Sequence, residues 1–341
     1  MRIARTHLET PAWGEAVARL GSTRLALALI GLLALGAVAA SRDAGPAGWL
    51  LATPLALLAL NLACAVATHA SFRAQPALLA FHLALLAVVA LAAAGRLTYL
   101  KGTLELSDGE EFAGALNQRE QGPLHGDAIE GVAFTQLGFT VHYQPGMKRA
   151  QTHARIAWRD ARGTLREAEV GDDTPLRLAG YRFYTTPNKG FAPEFVWQGA
   201  RGGAPVRGTV HMPSFPAQLA SQQQEWTPPG ASQALTIRLE LEAQLVDLER
   251  PWVLRAPVAH ALAIDADAQR VVLRPGESHA FAAGTLHYVG LRMWMGYSVF
   301  YDWTLPWLLA AAVLAALALG AHYYGKFRRE PWHGGVAAEA A

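Results

Sequence analysis

A chain of 341 residues that is 52% hydrophobic and only 16% charged, with a mean hydropathy of +0.16, is more apolar than a soluble globular protein, which carries about 25% charge. A formal net charge of +2 and the absence of any dense Lys/Arg stripe exclude a nucleic-acid binder. A single cysteine, Cys64, excludes an intramolecular disulfide and any cysteine-built zinc cluster.

The apolar residues gather in four blocks: Leu25–Ala40, Ala47–Ala67, Pro76–Gly95 and Trp303–Gly320. A helix of about 20 such residues crosses a hydrocarbon core about 30 Å thick. The last three blocks reach that length, and the first does so with Gly21–Arg24 and Ser41 in the interface. The expected fold class is an α+β membrane protein with four transmembrane helices, three N-terminal and one C-terminal. Cys64 lies inside the second block and reads as a small buried hydrophobe.

Basic residues set the expected orientation. Arg2, Arg5, Arg19 and Arg24 precede the first span, Arg42 is balanced by Asp43 after it, and Arg73 stands without an acid between the second and third spans. Lys326, Arg328 and Arg329 follow the fourth. The positive-inside rule then places both termini in the cytoplasm and the stretch between spans three and four outside, in a bacterial periplasm. An A-x-A pattern at Ala37–Ala39 would suit a cleaved signal peptide. The leading region is long for one, however, and another span begins almost at once. The expected organisation is residues 1–98 with helices one to three, 99–302 as a periplasmic β-rich domain, 303–325 as the fourth helix and 326–341 as a cytoplasmic tail, in the inner (plasma) membrane.

Within the inserted domain the pattern changes to short alternating runs: Gly138–Gln144, His153–Val170, Tyr181–Thr186, Glu194–Gln198 and Leu235–Leu248. Asp160-Ala161-Arg162-Gly163 reads as a hairpin turn. Ala217–Ser232, with its glutamines and prolines, reads as a loop. An antiparallel sandwich or open barrel follows. The domain carries no G-x-S-x-G elbow, P-loop, H-E-x-x-H or strand-following G-x-G-x-x-G, and its histidines do not pair at helical ligand spacing. An enzyme acting alone is therefore not expected.

The most specific residue is His82, a lone imidazole in the aliphatic stretch PALLAFHLALLAVVALAAAG. Ionisable groups inside spans are costly and mark functional sites. Neutral imidazole ligates iron, but it also makes ordinary hydrogen bonds between helices, and residue chemistry leaves both readings open. His69 closes the second span and His322 the fourth, at the same expected inner face.

These signposts, in order, resemble the ResB-like (CcsB-type) membrane proteins of System II cytochrome c biogenesis. They are LALNLACAV with Asn61-Leu62 and Cys64; FHLALLAVVALAAAG with His82; KGTLELSDGEEF; LRLAGYRFYTTPNKGFAPEFVW; and LHYVGLRMW before the last span. The resemblance runs over essentially the whole chain. It departs at Met293-Trp294-Met295-Gly296-Tyr297, where family members often carry an Asp-Pro-Gly-like turn. The resemblance implies a subunit of a haem lyase complex that moves and holds b-type haem in transit. It implies a CcsA-type, tryptophan-rich membrane subunit as partner, apocytochrome c as client and a thioredoxin-like protein as reductant of the client's thiols. It also implies that His82 is an axial ligand of haem iron shared with a histidine of the partner, with His322 as the in-chain alternative. A membrane-anchored scaffold without haem contact is the rival reading.

Overall fold

The computed structural model describes residues 12–42, 47–266 and 269–329. Arg2, Arg5, Asp43 and the tail beyond Arg329 lie outside the described residues. The chain forms two compact units: residues 1–100, 121–126 and 302–341 in one, and Lys101–Glu120 with Asp127–Tyr301 in the other.

The first unit is helical. Its elements are α1 (Ala12–Leu20), α2 (Thr23–Arg42), α3 (Ala47–Thr68), α4 (Ala70–Ala74), α5 (Pro76–Thr98) and α6 (Leu305–Arg329). Helices α2, α3, α5 and α6 are each long and apolar enough to cross a membrane. Leu27, Leu35, Leu309 and Leu317 are all about two-thirds exposed. Leaving such side chains in water forfeits roughly 1.5–3 kcal/mol each, so these faces belong against lipid or another apolar helix. The chain is a membrane protein. The expected α2 block grows by a few residues at both ends, and α6 continues beyond the expected end at 325 to Arg329.

Two short helices, α1 and α4, interrupt regions without a long apolar run, and composition did not announce them. Between α1 and α2 the chain bends at Gly21-Ser22. A Cβ on Gly21 would stand 2.7 Å from the Ala65 backbone nitrogen, so the bend presses directly on α3 beside buried Cys64. Asn61, also buried, donates its amide to Leu20 O and, at 3.1 Å, to Ser22 O. Ser22 O also accepts from Ala26 N–H (3.1 Å), whereas Leu20 O stands at a helix end in an apolar setting, where an acceptor needs such a partner. The polar residue of the Asn-Leu…Cys signature is thus the latch of this bend.

At the other end of the bundle, the segment 121–126 returns to cover the C-terminus of α5. Gly122 N–H donates to Tyr99 O (2.9 Å), Leu124 N–H to Leu97 O (2.8 Å) and the His125 ring to Thr98 O (2.7 Å). The N-terminus of α6 is capped by Asp302, whose carboxylate accepts from Thr304 N–H at 2.9 Å.

The second unit is β-rich and, among the described residues, holds three sheets. One has seven strands, in which Leu100–Ser107, Gly284–Tyr301 and Tyr181–Gly199 are successive neighbours; the last two run antiparallel, with two register shifts. A second sheet orders Gln223–Trp226, Leu235–Leu241, His260–Ala266 and Gln269–Leu273, and a third orders Trp252–Leu254, Ala133–Tyr143, Arg149–Arg159 and Leu165–Gly171. The expected hairpin at Asp160–Gly163 is present. Asp160 accepts from Arg162 and Thr164 N–H, and Gly163 supplies the left-handed conformation (φ +75°) that the turn needs. Phe112, Phe134, Phe183 and Tyr297 pack at centroid distances of 5.0–6.3 Å to form an aromatic core.

Two expectations need correction. Tyr181–Thr186 and Glu194–Gln198 are parts of one 19-residue strand, in which Pro187 falls within a register shift against the neighbouring strand and Pro193 stays in register opposite Leu291. The segment expected as a loop over Ala217–Ser232 contains an edge strand, Gln223–Trp226, paired with Leu235–Arg238.

Candidate functional site

His82 stands about six residues, roughly 9 Å, inside the N-terminal end of α5. Its half-buried ring places Nδ1 2.8 Å from Leu78 O. A carbonyl only accepts, so Nδ1 carries the proton and Nε2 keeps the lone pair. Phe72, on α4, packs against the ring at 4.4 Å and Phe81 meets it edge-on at 5.1 Å. The product is an imidazole of fixed tautomer, its second nitrogen engaged by a backbone acceptor, among apolar neighbours. Metal-ligating histidines are held in this way, and the residues present fit a haem iron, which His82 would hold through Nε2.

His69 and His322 share that end of the bundle, and His322 is staggered from His82. Gly95 lies against Thr304, where an added Cβ would be 2.8 Å from its hydroxyl, which sets the register of antiparallel α5 and α6. Counting residues from that contact puts His322 about 7 Å further toward the end than His82. The His69 and His82 rings both pack on Phe72, with centroids at 6.0 and 4.4 Å from it. His69 is exposed, with Nδ1 3.2 Å from Thr68 Oγ1; His322 is half-buried against Tyr323. Among the described residues no three His, Cys, Asp or Glu side chains group to hold a metal ion.

In the β-rich unit most histidines are tied into the structure. His211 joins Glu105 and Ser107, each at 3.0 Å, and stacks on Trp294. Buried His260 meets the Tyr288 hydroxyl at 2.7 Å. The buried charges here were not visible in the sequence. Glu194 lies between Arg207 (2.7 Å) and Arg292 (2.9 Å), and their hydrogen bonds outweigh its burial to hold its carboxyl below the usual range. Burial pushes Asp108 up to about 6 against the opposing pull of Gln136 and Arg292. Burial pushes Lys189 down to about 8; its ammonium donates to Pro187 O at 3.1 Å. An isolated polar letter in an alternating strand was the available signal, and it does not say what the side chain meets.

A membrane bundle with a tautomer-fixed histidine and a β-rich insertion between its last two long helices defines the class of protein. The family model for ResB-like proteins matches residues 65–332, about four-fifths of the chain, and the chain belongs to that family. Membership associates it with cytochrome c biogenesis. No curated protein matches the chain.

Proposed function

We propose that the chain is a subunit of the System II cytochrome c synthesis complex, and that it holds b-type haem through His82 beside a tryptophan-rich, CcsA-type membrane subunit. The observation that carries this reading is the Nδ1–H bond of His82 to Leu78 O, which leaves Nε2 free to donate to iron. A histidine of the partner subunit would supply a second nitrogen, because His322 lies about 7 Å nearer the end of the bundle than His82. When bound, haem would supply, after transfer from the inner face to the outer one, the vinyl groups to which the reduced thiols of apocytochrome c add. The residues of this chain do the holding: Leu78 O fixes the ring, Phe72 and Phe81 pack it and exclude water, and α5 sets its depth. In this reading the β-rich unit lies in the periplasm, where it receives apocytochrome c, and a thioredoxin-like protein keeps the client reduced. Both chain termini are cytoplasmic.

His82→Ala tests the reading. The complex should accumulate normally but purify without this haem, and added imidazole should restore part of the absorption spectrum by entering the vacated space. His322→Ala should keep its haem. A His82→Ala complex that purifies with full haem and matures cytochromes normally would establish the scaffold reading instead.

A further inference from the structure

Strands Ala133–Tyr143 and Arg149–Arg159 pair antiparallel, with Thr140 opposite His153 and His142 opposite Gln151. Alternation puts His142 and His153 on one face of the sheet, diagonal to each other. Their chain neighbours Val141, Thr152 and Ala154 are all buried, so this face points outward. The two imidazole centroids are 5.6 Å apart with planes at 89°. From the next strand, Glu169 Oε1 stands 2.5 Å from His153 Nδ1. The carboxylate accepts, so His153 Nδ1 is protonated and Nε2 holds the lone pair. Neither nitrogen of His142 has a hydrogen-bond partner among the described residues.

Two imidazoles on one tetrahedral ion, with metal–nitrogen bonds of about 2.0–2.1 Å, have centroids roughly 5.2 Å apart. The observed pair is within a few tenths of an ångström of that spacing, a shift that exposed side chains make freely. A carboxylate on the far nitrogen of a ligating histidine is the arrangement that fixes such ligands. We propose that His142 and His153 bind one divalent late-transition-metal ion, with Glu169 as the positioning carboxylate and water in the remaining positions. The spacing matches a tetrahedral ion such as Zn2+, and Cu2+, which prefers tetragonal geometry, serves as the spectroscopic substitute. The site is independent of His82 and of the haem reading.

The full chain, purified in detergent, is titrated with Cu2+ and with Zn2+ by calorimetry, and the copper form is examined by electron paramagnetic resonance. The unmodified chain should show one ion with a two-nitrogen signature. H142A and H153A should each lose that signature and weaken binding more than about 10-fold, with unchanged circular dichroism. E169Q should keep the two-nitrogen signature and bind about 10-fold more weakly. H82A should bind copper as the unmodified chain does, so this proposal and the haem reading fail separately. Affinity and signature unchanged in both H142A and H153A, or no two-nitrogen signal in the unmodified chain, overturns the site; unchanged affinity in E169Q overturns the role of Glu169.

Discussion

Asp108 carries a carboxyl group into the β-rich unit, and burial makes its charged form unfavourable there. The folded chain keeps this proton up to about pH 6, whereas the unfolded chain releases it near 3.8. Between those values the folded state binds more protons, so stability falls as pH rises through the window and stays lower above it, by about 3 kcal/mol. Asp108→Asn should therefore raise the unfolding temperature at pH 8 and leave it unchanged at pH 3.5. Thermal melts at the two pH values check this, and an equal gain at both would show that charge is not the cause. His82 was legible in the sequence because a titratable residue stands out in twenty aliphatic ones. Asp108, Glu194 and Lys189 were not, because charged letters are ordinary in strands and turns and their burial depends on which strands cover them. The His142–His153 pair was equally hidden: eleven positions apart, the two meet only through a strand register that sequence spacing does not reveal.

The elements themselves divide in the same way. Long apolar helices follow from composition, and the Asp160–Gly163 hairpin follows from turn chemistry. Sheet order, the single strand Tyr181–Gly199 and the edge strand Gln223–Trp226 rest on long-range pairing, which local pattern does not encode. The covering of α5 by residues 121–126 is another such case, and Gly122 is its tightest point. A Cβ at that position would stand 2.3 Å from the carbonyl carbon and oxygen of Leu97, both backbone atoms. Gly122→Ala should cost about 1–3 kcal/mol locally, as overpacking does. It should also release the bonds from Gly122 and Leu124 to the helix end. Faster hydrogen exchange at those two amides, with the strands of the β-rich unit unchanged, is the expected result; unaltered protection would mean that α5 yields to the methyl group.

For the whole molecule, the arrangement of long apolar helices about one inserted β-rich unit makes topology the decisive property. With Arg19, Arg24, Arg73, Lys326 and Arg328 at one set of helix ends, the positive-inside rule predicts that reporters at the N-terminus and after Trp332 are cytoplasmic and one after Gly122 is outside. An outside reporter after Trp332 would mean that α6 does not cross.

The order of the seven-stranded sheet also bears on how the chain is made. Leu100–Ser107 leaves α5 at once, yet its neighbour Gly284–Tyr301 is the last strand before α6. During synthesis the first of these waits about 180 residues for the second, and such distant closures are slow and entropically expensive. Until then both Leu100–Ser107 and Tyr181–Gly199 present an unpaired edge open to strands of other chains. The strand that closes those edges is also the one that delivers α6, so a nascent chain gains its final membrane anchor only once every strand of the sheet has been made.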